Sequence, residues 1–287
     1  MKIALIIAII LFDLYYLYHL FTDICHHWQA TKKEPATKRA FFSMIIIYFL
    51  STLGIGDFAV STALYQKTKW VPIRKLPGTL NAQCVIPSGV MAIIFLSNIT
   101  VGFKTLITCV CCQILGAYLG SKFVTKLPKT ILRYFIITGL LLASCLILVG
   151  KFHMIASTGT ATQLSGWKLY LTAGLLFLYG ALDDVGIGCY APTMATIYAM
   201  GMNPAAAFPI MMCGSTFSLS VGSVEFIKKH NYSRKLALYS LFGVIGVFLA
   251  ATVFKHLSLD MLEWLVIVVL IYAAYSLYRD AKETDQA

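Results

Sequence analysis

The chain has 287 residues, of which 59% are apolar and 12% are charged, with a formal net charge of +11. A soluble globular domain is charged at about 25% of its positions, so a water-soluble fold is excluded. A porin-like barrel, whose strands alternate apolar and polar residues, is excluded by the continuity of the apolar runs.

The first apolar block, residues 3–21, runs through Phe12-Asp13-Leu14 without a small-residue cleavage site. It predicts a transmembrane helix rather than a cleavable signal. A basic loop with Lys32, Lys33, Lys38 and Arg39 completes an N-terminal unit over 1–39. A first transmembrane repeat, 40–150, opens on a block at 41–66 that is interrupted by Gly54-Ile55-Gly56-Asp57. A second basic loop leads to Pro77, and three spans follow near 79–97, 103–122 and 131–149. After a polar linker, 151–167, a second repeat over 168–287 opens on a block at 168–200, interrupted by Gly186-Ile187-Gly188-Cys189. Spans near 207–227, 236–254 and 261–278 and a short charged tail complete it.

The two halves keep the same spacing. Gly54 and Gly186 stand 132 positions apart, as do Pro77 and Pro209, and Lys126-Leu127-Pro128 is echoed by His256-Leu257-Ser258 at a shift of 130. Such matched interruptions mark a duplicated transporter fold. If each broken block enters and leaves on one side, 18 of the 23 Lys and Arg residues gather with the C-terminus, against five opposite. If each block crosses once, the split is 13 to 10. The positive-inside rule favours re-entrant blocks, and neither block is long enough for two spans of about 20 residues. One dip and three crossings per half place the second half upside down. The expectation is an all-α integral membrane protein, a polytopic helical bundle of two inverted repeats, each a Gly-broken re-entrant segment plus three spans, preceded by one extra helix. The basic loops and C-terminus are expected in the cytoplasm, the N-terminus outside, and the chain multi-pass in the plasma membrane.

The glycine breaks are the expected substrate site. Non-helical backbone at membrane depth persists only where protein or a water-filled cavity surrounds it, and the helix that restarts there presents unpaired amides and a positive dipole end. Such an end binds anions. The expected substrate-binding residues are Gly54, Ile55, Gly56 and Asp57 at the first break and Gly186, Gly188 and Cys189 at the second. Thr79, Asn81 and Ser215 join them from the following spans. The alternative is that the glycines only let helices pack closely. Asp57, Asp183 and Asp184 are coupling-ion candidates, because a carboxyl group at membrane depth is costly unless paired, hydrated or protonated. Asp57 can also serve as a helix cap, and the Asp pair can cap, bind a proton or help hold Na⁺.

Seven of the eight cysteines lie in apolar blocks and read as small buried hydrophobes. With no CxxC pair, neither a zinc site nor a disulfide framework is indicated. His19, Asp23, His26 and His27 have helical spacing, but at the end of the first block they read as headgroup-level polar groups rather than metal ligands.

Two copies of Gly-Ile-Gly, the stretch Pro77-Gly78-Thr79-Leu80-Asn81, and Leu115-Gly116-Ala117-Tyr118-Leu119-Gly120 leading into Lys126-Leu127-Pro128 resemble the TauE/SafE sulfite exporter family of membrane permeases. The resemblance covers about residues 40–280. It implies transport of sulfite, organosulfonates or related small anions across a plasma membrane. Where that family usually ends its motif in three glycines, this chain has Asp57-Phe58 and Cys189-Tyr190, which narrows the cavity and adds a carboxyl group and a thiol.

The expected function is therefore a secondary transporter that works by alternating access, with a proton as the candidate coupling ion. An anion channel of the same architecture is the alternative. No HExxH motif or nucleotide loop supports an enzyme, and no cofactor is expected. The expected partners are a small anion and the lipid bilayer, with a second copy as a homodimer also allowed. The basic clusters lie between apolar blocks, which is the signature of headgroup contact rather than of nucleic-acid binding.

Overall fold

The computed structural model describes residues 2–54, 57–72, 75–124, 160–183 and 189–254, with scattered positions between 138 and 148 and between 264 and 279. The expected spans near 131–149 and 261–278 lie largely outside the described residues. Within them the chain is helical, with no strand, and four segments are long and apolar enough to cross a membrane: Lys2–His26, Leu76–Asn98, Ala207–Lys228 and Arg234–Val253. The protein is an all-α, multi-pass membrane protein.

Helix α1 (Lys2–His26) is followed by a short α2 (Trp28–Lys32). The first broken block forms two helices, α3 (Arg39–Thr52) and α4 (Asp57–Thr68). At 14 and 12 residues they are roughly 21 and 18 Å long at 1.5 Å per residue, each short of the ~30 Å hydrocarbon core. The chain leaves α3 through Gly54, whose φ of +93° is the left-handed conformation that glycine adopts without a Cβ penalty. Next come α5 (Leu76–Asn98) and α6 (Phe103–Val124). The second broken block repeats the pattern as α7 (Trp167–Asp183) and α8 (Tyr190–Ala199). Then come α9 (Ala207–Lys228), α10 (Arg234–Ser240) and α11 (Gly243–Phe254).

Helices α5 and α9 pack against each other at the centre, with 78% of each apolar window buried, whereas α1 buries only 17% and leaves Ile3, Ile7, Leu11 and Tyr18 outward. Around this pair, α6 packs on α7 and α11 packs on α3. The two outer crossings use the same device. A Cβ on Gly116 of α6 would strike the carbonyl oxygen of Phe177 on α7, and one on Gly246 of α11 would strike that of Ile45 on α3. Gly246 lies 130 positions after Gly116, and Phe177 lies 132 after Ile45, the two shifts already present in the sequence. Small residues that let backbones touch drive helix association where lipid removes the hydrophobic term.

Contacts at the helix ends sort the loops into two groups. At one end, Ser233 N donates to Thr79 Oγ1 (2.9 Å), and Ser233 Oγ donates to Glu34 Oε2 (2.6 Å). Glu34 also accepts the Arg234 and Lys235 amides (3.2 and 3.0 Å), which caps α10. Both flanks of the first broken block, residue 34 before α3 and residue 79 after α4, therefore meet one loop. Asp23, near the end of α1, joins them, accepting Arg234 Nε at 2.6 Å and the Tyr232 hydroxyl at 2.7 Å. At the other end, Gly102 N donates to Thr162 O (2.8 Å), Leu164 N to Thr105 Oγ1 (2.8 Å) and Asn203 N to Ala161 O (2.9 Å). Both flanks of the second broken block, 161–164 and 203, meet there.

Candidate functional site

Both restarting helices lean on the central pair. Asp57, the first residue of α4, is buried. Its Oδ1 accepts its neighbour's amide, Phe58 N, at 3.1 Å, and its Oδ2 accepts the Cys84 thiol of α5 at 2.7 Å. The same thiol accepts the Tyr48 hydroxyl from α3 at 3.4 Å. One residue back, Gln83 joins α5 to α4: its Oε1 accepts the Tyr65 hydroxyl, and its Nε2 donates to Ser61 Oγ at 2.8 Å. Four residues on, Pro87 has no N–H, so the Gln83 carbonyl lacks its helical donor at this level.

At the second break, Cys189 caps α8 and is buried. Its sulfur accepts Gln113 Nε2 of α6 at 3.1 Å and lies 3.0 Å from Ser215 Oγ of α9. Gln113 Oε1 is buried without a hydrogen-bond partner, as is Thr193 Oγ1 one turn into α8. The neighbouring Tyr190 hydroxyl crosses to Ser88 Oγ of α5 at 3.0 Å.

The two environments are contiguous. Ser88 is one helical turn from Cys84, so one stretch of α5 carries contacts to both restarting helices. A methyl group on Gly54 would stand 3.1 Å from Met194 Cε of α8 and 3.7 Å from Phe208 of α9. The first break therefore touches the second half-helix directly.

The structure brings together Gly54, Asp57, Cys189 and Ser215 from the expected set. Thr79 stands apart, at the loop end of α5, donating to Lys75 O (2.7 Å) and accepting from Ser233 N. Asn81 Nδ2 donates to Pro77 O at 2.9 Å, and its Oδ1 is buried and unpartnered. Ile55, Gly56, Gly186, Gly188 and Asp184 lie outside the described residues, as does the side chain of Asp183. Cys84, Gln113 and Tyr48 were not singled out from sequence. No sequence signal pointed to Cys84, since a thiol in an apolar helix carries no pattern of its own. Gln113, a lone amide in α6, was the stronger signal.

The histidine cluster takes a different form from the expected one. Ligand atoms of Asp23, His27 and His230 lie within 4.8 Å of one another. The Arg234 guanidinium already engages both Asp23 oxygens, at 2.6 and 3.2 Å, and reaches His230 Nδ1 at 3.1 Å. A metal cation there would sit beside a fixed positive charge, so the group reads as a buried ion pair with two histidines around it.

Among known proteins, the family model described as "Sulfite exporter TauE/SafE" matches residues 1–148 and 173–287. The match includes α1, which the motif resemblance left out. No curated protein and no solved structure matches the chain.

Proposed function

The chain belongs to the sulfite exporter TauE/SafE family, a family of transporters and not of enzymes, and from that membership we propose that it is a secondary transporter moving a small anion, sulfite or an organosulfonate, across the plasma membrane. The observation that carries this reading is the pair of half-helix starts, at Asp57 and Cys189, that converge on one stretch of α5 and α9. Each start turns the positive end of its helix dipole toward a buried, polar-lined neighbourhood.

Alternating access needs the two halves to open in turn toward opposite faces. The contacts at the two ends of α5 support this. The flanks of the first broken block gather with residues 229–235, and those of the second gather at the other end of α5, with residues 99–105. On this reading both blocks are re-entrant, the end built from 22–40, 76–79 and 229–235 is cytoplasmic, and the N-terminus is outside. The substrate site comprises Gly54, Ile55, Gly56, Asp57, Gly186, Gly188, Cys189 and Ser215, with Asn81 and Thr79 behind it toward the cytoplasm. Asp57, Asp183 and Asp184 are the carboxyl groups nearest the breaks for a coupling ion. A homodimer is compatible with the outward apolar faces.

The test is uptake of sulfite, sulfoacetate, taurine and sulfate into proteoliposomes, with and without a pH gradient. Saturable uptake of at least one of these, lost in Gly56→Leu, is expected. Uptake that neither saturates nor responds to any ion gradient would favour a channel, and no movement of any of the four, with Gly56→Leu indistinguishable from wild type, would sink the site.

A further inference from the structure

Asp13 sits near the middle of α1, about 16 to 20 Å from either helix end at 1.5 Å per residue, and hence at membrane depth. Its Oδ1 is buried with no hydrogen-bond partner among the described residues. Its carboxyl group packs against Gly89 of α5, and any side chain at Gly89 would strike it. The adjoining Phe12 stacks edge-on against Phe217 of α9, ring centroids 5.2 Å apart, which holds this stretch of α1 on the central pair. No cation among the described residues answers the carboxyl group. Helix α5 has no charged residue, and the charged residues of α9, Glu225 and Lys228, face each other 3.7 Å apart near its end. The remaining titratable neighbours are Tyr16, one turn along α1, whose hydroxyl donates to Ala82 O at 2.5 Å, and Cys84, whose thiol is given to Asp57.

Asp57 and Asp13 therefore differ in kind. Asp57 has a hydrogen-bond partner at each carboxyl oxygen. Asp13 accepts none at Oδ1, and an ionised carboxylate without a partner at this depth costs several kcal/mol. The neutral acid is the form this contact tolerates. Its position matters as much as its chemistry, because Gly89 directly follows Ser88, which holds Tyr190 of the second half-helix, and lies just over one turn beyond Cys84, which holds Asp57 of the first.

We infer that Asp13 is a further proton-binding site of the transporter, apart from the carboxyl groups at the breaks: its carboxyl group takes up one proton when α1 closes on Gly89 and releases it to water when that contact opens. The step is COO⁻ plus H⁺ giving COOH, with no other reactant. The inference rests on the transporter reading for its coupling, but not for the protonation itself.

Two measurements separate these. The first is infrared spectroscopy of the full-length protein in lipid. Wild type is expected to show a carboxylic-acid C=O band at neutral pH that is lost at alkaline pH. Asp13→Asn should remove it and Asp13→Glu should move it, the latter serving where Asp13→Asn does not fold. No such band in wild type, or one that neither variant alters, overturns the site. The second is sulfite movement driven by a pH gradient in proteoliposomes. Asp13→Asn should lose at least tenfold of the gradient-driven rate while sulfite exchange without a gradient persists, and Asp13→Glu should keep both. Full gradient-driven movement in Asp13→Asn overturns the coupling. If wild type moves no sulfite, the substrate reading fails while the infrared result still decides the proton site.

Discussion

The two broken blocks are the same device built with different chemistry. Counting 132 positions from the first to the second, Asp57 becomes Cys189, Phe58 becomes Tyr190, Ser61 becomes Thr193, Tyr65 becomes Ile197 and Gln83 becomes Ser215. In the first block, α4 is tied to α5 by Asp57–Cys84, Ser61–Gln83 and Tyr65–Gln83. In the second, α8 is tied to α9 through Cys189–Ser215 and to α6 through Gln113, and Thr193, where Ser61 had its partner, has none. The mouths differ too. The first is closed by a buried Asp23–Arg234 ion pair and Glu34, the second by neutral hydrogen bonds to Thr162, Thr105 and Ala161. The two outer crossings thus use glycines at matching positions, while the polar side chains at the matching positions of the two blocks differ. Each break keeps a buried hydroxyl without a partner among the described residues, Ser51 Oγ before the first and Thr193 Oγ1 after the second, and only the second adds an unfilled amide oxygen, that of Gln113 on α6.

The largest expected contrast is between the mouths. Arg234→Met leaves Asp23, whose side chain is only 7% exposed, with Tyr232, His27 and His230 beside it but without its guanidinium partner, and breaking a buried pair costs about 3–5 kcal/mol, less where such neighbours remain. Thr105→Val at the other mouth removes two neutral bonds to Leu164, one of them long at 3.4 Å, together about 1–2 kcal/mol. Thermal unfolding of the purified protein in one detergent should therefore show a larger drop in Tm for Arg234→Met. Equal drops would mean that the charge at the first mouth adds nothing beyond a neutral contact.

The glycine crossings should behave alike instead. Gly116→Val and Gly246→Val each drive a side chain into a backbone carbonyl on the facing helix, an overpacking worth about 1–3 kcal/mol. Matched losses of Tm and of monodisperse protein are expected. A large effect at one site with none at the other would end the claim that the two outer crossings are equivalent.

The parts legible in the sequence were those carried by long-range regularity. Apolar runs of membrane length predicted α1, α5, α6 and α9, and the paired glycines predicted that the blocks at 41–66 and 168–200 would each be interrupted. The unseen parts depend on partners far apart in the chain. Arg234 counted as one more loop cation, yet it is buried against Asp23, 211 residues away. Cys84 read as a small hydrophobe because its role comes from Asp57 on another helix. Thr79 was placed near the first break by its closeness to Pro77, whereas α5 starts at the loop end and reaches the level of the break only at Gln83 and Cys84. Asp13 was visible as a carboxyl group in an apolar run, but what it packs against was not.

The sharpest form of the comparison lies at the two equivalent tip residues. Asp57→Asn keeps shape and removes charge, so Cys84 and the Phe58 amide, which now share a carboxylate, must share an amide that itself donates. Cys189→Ser keeps a hydroxyl-sized acceptor for Gln113 and a partner for Ser215, so the second tip loses little. If the first tip tunes the field felt by an entering anion and the second supplies neutral contacts, Asp57→Asn should change the concentration for half-maximal sulfite uptake by about tenfold, about 1.4 kcal/mol. The change should be toward tighter binding, since a like charge beside the anion is gone. Cys189→Ser should stay within about threefold, less than ~1 kcal/mol. A weaker affinity in Asp57→Asn would instead mean that the carboxylate's value lies in holding the start of α4 in place, and the two tips would then be equivalent in role as well as in position.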